Sequence, residues 1–274
     1  MTDTRVIATV SSADCAAGTR RWLASLRAWD WEGPVHVYTP ERDPVPERGL
    51  TERGAEVIPI PEWYKGLNRI ELCRNAPAIL KCLLPDRYPD GTTLLYTDSS
   101  DVVFVERPAA LFDLFDASPA IMAARPFGKD TDILGTTDWV ERLWAADYSY
   151  GMKYNSGVIL FRLCPETRMI AASWRDKAAA ACGRFRPPRK GKRSIVDDQQ
   201  AFNLTMREAR RYGFEILDLP QVWNVRGNET TQVKIGDDGL AYLPDGRRVF
   251  LIHPSGKKGR MLPEHEAAGR RRAT

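Results

Sequence analysis

Two aspartates three positions apart, Asp98 and Asp101, interrupt the otherwise apolar run TLLYTDSSDVVFV at residues 93–105. A carboxylate set into a segment that buries well needs a cation, a metal or a set of donors. At the end of a strand in an open parallel sheet, such a pair faces the crevice where ligands bind. There it can share a hard divalent cation, Mn²⁺ or Mg²⁺, whose remaining positions go to water or phosphate oxygens. Alone, a DxxD reads equally well as a turn cap followed by a solvated loop residue, so its meaning rests on three later stretches.

The first is KYNSGVILFR, where Asn155 and Ser156 offer donors to sugar hydroxyls. Gly157, lacking a Cβ, lets a ligand approach the backbone. The second is VDDQQAFN. Asp197 and Asp198 open a helix and can cap it, or one of them with Gln199 can point at a sugar or an acceptor. The third is LIHPSGKKGR, in which His253 closes a strand and offers a third metal ligand. Gly256 permits a tight loop there, and Lys257 and Lys258 can neutralise a diphosphate. Taken singly, these stretches are a plain turn, a capped helix and a core histidine.

The elements that must position these groups follow from periodicity. RVIATVSS reads as a strand, and Trp22, Leu23, Leu26 and Trp29 mark one face of the helix after it. GPVHVYTP and AEVIPIP read as the next strands, with a proline-rich loop between them. Residues 69–84 read as helical, TLLYT and DVVFVE as strands, and PAALFDLFDAS as a helix with Leu111, Leu114 and Phe115 inward. PAIMAAR is a strand, TDWVERLWAADY a helix capped by Thr137 or Asp138, and YNSGVILFRL a buried strand entered through Asn155, Ser156 and Gly157. Helices are expected at 165–182 and 197–212, flanking the basic loop RPPRKGKRS, and FEILDLP and RVFLIHP as strands. The β-α-β alternation predicts an α/β fold, a mixed but mostly parallel sheet flanked by helices. One domain over residues 1–262 with a basic tail at 263–274 is expected.

The bulk numbers agree with a folded enzyme. The 274 residues carry 40 basic and 36 acidic side chains, a net charge of +4, which argues against a general nucleic-acid binder. Five scattered cysteines without a CxxC pair read as thiols of a reducing compartment. The start MTDTRVIATVSS does not read as a signal peptide, and no run approaches the ~20 apolar residues of a membrane span, so a cytoplasmic protein is expected. Heavy use of arginine and alanine suggests a GC-rich, bacterial-looking genome.

In order and approximate separation, over roughly residues 5 to 260, the four stretches resemble the nucleotide-sugar glycosyltransferases of the GT-A fold. Within that fold the chain looks like the glycogenin-like retaining transferases and the glycosyltransferase domain of collagen lysyl hydroxylases. Its DxxD, preceded by TD, follows the second. The resemblance implies Asp98, Asp101 and His253 as metal ligands and a nucleoside diphosphate sugar, UDP-linked foremost, as donor. It seats uracil and ribose at Thr9, Val10 and Ser11 and sets Lys81 against the donor. Trp223 and Asn224 fall in a loop near the acceptor. The chain departs from the glycogenin-like pattern at Gly259, where a phosphate-binding lysine is expected. That leaves Lys257, Lys258 or Arg260 to replace it.

The implied reaction is transfer of a hexose to an acceptor hydroxyl on a small molecule, saccharide or protein, with retention at the anomeric carbon. An inverting enzyme would instead need Asp197 or Asp198 as base. A metal phosphohydrolase more commonly carries DxDx[TV], and a nucleotidyltransferase a glycine-rich basic loop after the first strand. Neither occurs here. A basic module binding RNA or a membrane surface through RPPRKGKRS and GRRRAT is the non-enzymatic alternative. Residues 184–194 read alternatively as a lid over the diphosphate.

Overall fold

The computed structural model describes residues 4–41, 44–60, 80–126, 154–182 and 198–254. In chain order the first elements are β1 (Arg5–Val10), α1 (Ala16–Arg27), β2 (Val35–Pro40), β3 (Glu56–Ile60) and β4 (Thr93–Thr97). Next come β5 (Val103–Phe104), α2 (Ala109–Asp116), β6 (Met122–Pro126), β7 (Tyr154–Arg162) and α3 (Pro165–Cys182). The chain continues through α4 (Asp198–Arg211), β8 (Ile216–Asp218), β9 (Val225–Arg226), β10 (Lys234–Ile235), β11 (Ala241–Tyr242) and β12 (Leu251–His253). They group into two compact units: residues 1–61, 93–119 and 219–274, and residues 62–92 and 120–218.

In the first unit β3, β2, β1 and β4 lie side by side in that order, all parallel. β4 is buried along its whole length and β1 at every residue but Arg5. Strands covered on both faces read as continuous apolar runs. A second small sheet runs β5-β12-β9, with β12 antiparallel to β5 and parallel to β9. Helix α1 buries Thr19, Trp22, Leu23 and Leu26, a stripe at helical spacing that faces the core. Its polar atoms are used as well. The Trp22 indole N–H donates to the Thr97 hydroxyl at 2.7 Å, and the Ser25 hydroxyl accepts from the Phe104 N–H at 3.1 Å. Just past the helix, Trp29 donates to the Phe104 carbonyl at 3.2 Å. One helix therefore grips the chain on both sides of the DSSD segment.

In the second unit β6 runs antiparallel to β7 and parallel to β8. Asn203 of α4 pins the start of β7, accepting from the Tyr154 N–H at 2.5 Å and donating to the Tyr154 carbonyl at 2.8 Å. Trp174 of α3 meets Phe202 of α4 with ring centroids 4.7 Å apart.

The mixed, mostly parallel α/β architecture predicted from the sequence is the one observed. Two details differ. In α2 the buried residues are Leu111, Phe112 and Phe115, whereas Leu114 is only half-buried, because Phe112 lies one turn before Phe115 and lines the same face. Asn155, Ser156 and Gly157 do not precede β7 but lie inside it, each buried. The expected helix at 69–84 is described only from Leu80, where helical residues continue to Leu83. The helix expected at 137–148, the loop at 184–194 and the tail at 263–274 lie outside the described residues.

Candidate metal centre

β4 delivers Asp98 as the chain leaves the sheet, and the next residues turn so that Asp101 precedes β5. The antiparallel register pairs Ile252 with Val103 and Leu251 with Phe104. His253, one step further along β12, therefore arrives opposite the DSSD turn. Its Nε2 lies 3.4 Å from an Asp101 oxygen and 3.8 Å from an Asp98 oxygen. All three ligand atoms fall within 4.8 Å of one another. His253 is buried, with its side chain 3% exposed, while the Asp98 and Asp101 side chains are 28% and 32% exposed. The cluster thus has a closed back and an open front.

Each member is held. The Tyr96 hydroxyl donates to Asp98, which lies just past the end of β4, at 2.7 Å. Asn224 Oδ1 stands 3.2 Å from His253 Nδ1 and accepts its proton, which orients the ring with Nε2 toward the carboxylates. Burial alone would push the Asp101 carboxyl up. The hydrogen bond and charge of His253, with Ser100 and the Arg226 charge adding, hold it below its ordinary value.

These residues fit a divalent cation. Ligands of Mg²⁺-like ions sit about 2.1 Å from the metal, which spaces neighbouring donors about 3 Å apart and opposite ones about 4.2 Å. The observed separations of 3.4 and 3.8 Å fall between those limits. Two carboxylate oxygens and one imidazole nitrogen suit Mn²⁺, which accepts the nitrogen more readily than Mg²⁺.

The turn itself is clamped by α1. The Thr19 hydroxyl lies 3.1 Å from the Ser99 hydroxyl, and the Arg21 guanidinium donates to the Ser100 carbonyl at 3.0 Å. Gly18 lies against the Ser100 backbone so closely that a Cβ built on it would stand 2.4 Å from the Ser100 oxygen. Sequence reading missed Gly18, Thr19 and Arg21. A glycine inside an amphipathic helix was the one available signal.

Among the other expected site residues, Thr9, Val10 and Ser11 are buried at the end of β1. The Ser11 hydroxyl lies 2.5 Å from that of Thr19, which joins it to the clamp on the DSSD turn. In the second unit, Lys81 is buried rather than on the surface, and its ammonium donates to the Ser156 carbonyl at 3.4 Å. The Asn155 side chain accepts from the Gly157 N–H at 3.2 Å. Asp198 and Gln199 open α4, with side chains outside the described part, and Asp197, Gly256, Lys257 and Lys258 lie outside the described residues. Trp223 is a core residue stacked on Phe250, with centroids 3.8 Å apart, while Asn224 beside it reaches His253.

The fold is that of the GT-A glycosyltransferases. The galactosyltransferase LgtC, solved with donor and acceptor sugar analogs, superposes with a TM-score of 0.60 at 15% identity, over 98% of this chain and 94% of that one. The glycosyltransferase GlyE of Streptococcus pneumoniae gives 0.56 at 12% identity, over 99% of this chain and 61% of its own. The bifunctional glycosyltransferase WbbM gives 0.52 at 14% identity, over 94% and 46%. The chain thus spans less than two thirds of GlyE and of WbbM. No protein-family model matches the chain, and no curated protein matches it in sequence. Among the described residues no helix is long and apolar enough to cross a membrane.

Proposed function

We propose that this chain is a metal-dependent glycosyltransferase. It moves a hexose from a nucleoside diphosphate sugar, UDP-linked foremost, to an acceptor hydroxyl, with retention. The observation that carries the reading is the meeting of Asp98, Asp101 and His253 in a fold shared with glycosyltransferases, one of them solved with donor and acceptor sugar analogs.

As the bond between the sugar C1 and the β-phosphate oxygen breaks, negative charge gathers on the departing diphosphate. A bound divalent ion would supply Lewis-acid stabilisation of that charge. Asp98 and Asp101 furnish oxygen ligands and His253 the nitrogen. Asn224 keeps the imidazole in its ligand tautomer, and Tyr96 orients Asp98. Ser11 and its neighbours on β1 contribute to the nucleoside seat, and Lys257 and Lys258 supply positive charge to neutralise the diphosphate. The acceptor oxygen bonds to C1 on the face the diphosphate leaves, and its proton passes to the departing phosphate oxygen. Asp197, Asp198 and Gln199 are the candidates for work on the acceptor; with inversion, one of the two aspartates would take that proton instead. The free thiols Cys15 and Cys164 support a reducing, cytoplasmic setting.

The test is donor hydrolysis with UDP-, GDP- and dTDP-sugars, each with Mn²⁺, Mg²⁺ or a chelator. Release of sugar from one donor class, abolished by chelation, is expected. Silence with every donor from folded protein would refute the reading. The anomeric configuration of the product, by NMR, decides retention.

A further inference from the structure

The metal ligands leave a charge to be met. Two carboxylates neutralise a divalent ion, so a diphosphate placed against it adds negative charge that cationic side chains around the ion must balance. β9 runs parallel to β12 with Arg226 in register with His253. Paired residues of neighbouring strands point to the same face of a sheet. Arg226 therefore lies on the face from which His253 reaches the two aspartates. It is half-buried. Its own N–H is fixed by Glu229 at 3.0 Å, which sets the backbone from which the side chain extends.

We infer that Arg226 is a diphosphate-binding residue of this centre: its guanidinium pairs with phosphate oxygens of the donor held against the ion. A guanidinium suits this role because its planar fork can bond two phosphate oxygens at once, which an ammonium cannot. The assignment rests on the metal-dependent reading above. It places a charge-neutralising group on a strand next to the histidine, whereas the sequence pointed to Lys257, Lys258 or Arg260 after it.

The experiment titrates Mn²⁺ alone, then inorganic pyrophosphate onto the Mn²⁺-loaded protein, for wild type, Arg226→Gln and Arg226→Lys. Charged hydrogen bonds of this kind predict about a 10- to 100-fold loss of pyrophosphate affinity in R226Q. The Lys variant should fall between. Mn²⁺ affinity without pyrophosphate should hold or tighten, since a repelling cation has gone. Unchanged pyrophosphate affinity in R226Q overturns the assignment, and so does a parallel loss of Mn²⁺ affinity, which would make Arg226 a support for Asp101. If R226Q fails to fold, R226K decides: pyrophosphate binding equal to wild type overturns the inference. A wild-type protein that binds Mn²⁺ but no pyrophosphate sinks this inference alone. One that takes up no Mn²⁺ sinks the metal centre and this inference with it.

Discussion

Replacing Gly18 with alanine tests whether α1 sets the geometry of the metal ligands. In an ordinary helix interior this change stabilises by about 0.8–1 kcal/mol, because alanine has the better helix propensity. Here the new methyl would stand 2.4 Å from the Ser100 oxygen, 2.7 Å from its Cα and 2.9 Å from its carbonyl carbon. Relief requires the helix and the DSSD turn to part by roughly 1 Å, and overpacking of this kind costs about 1–3 kcal/mol. The net expectation is a loss of about 0–2 kcal/mol, read as a lower urea midpoint at unchanged slope. The shifted backbone adjoins Asp101. Sites of this sort tolerate displacements of about 0.5 Å, so Mn²⁺ affinity should fall about 10-fold or more. A G18A protein at least as stable as wild type, with equal Mn²⁺ affinity, would refute the argument that this close approach positions the ligands.

Asp101→Ala should all but abolish Mn²⁺ uptake in calorimetry and metal-dependent donor hydrolysis; near-wild-type turnover would remove it from the ligand set. Asn224→Ala leaves His253 unoriented at Nδ1 and should weaken Mn²⁺ about 10- to 100-fold while the three ligands remain. On β2, far along the chain from the centre, burial pushes the His36 imidazole below its ordinary 6.5, against the opposing pull of Glu56. The unfolded chain then binds the proton first as pH falls. Stability is fully present above about pH 6.5 and declines below it, and His36→Gln should flatten that slope in urea titrations run from pH 7.5 to 5.

Asp98, Asp101 and His253 were legible only together, through the order and spacing of the four stretches; singly each has a plainer reading. The main strands announced themselves by apolar runs bounded by prolines and small polar residues. What the sequence hid was partnership. Nothing in VRG signals that Arg226 shares a register with His253, since that pairing joins two strands with a hairpin between them. Nothing in the sequence shows that the fold buries the Lys81 ammonium against the Ser156 carbonyl. Phe112 and Leu114 lie on opposite flanks of the stripe made by Leu111 and Phe115, and only packing decides which flank is buried.

Phe104 turns its N–H and its carbonyl toward α1, where Ser25 and Trp29 take them up. β5 is the rim of its small sheet, and a rim residue with both main-chain groups engaged offers no template for another strand. A polypeptide substrate could not dock there by extending the sheet. On that side of the metal ligands, recognition is left to side chains and loops.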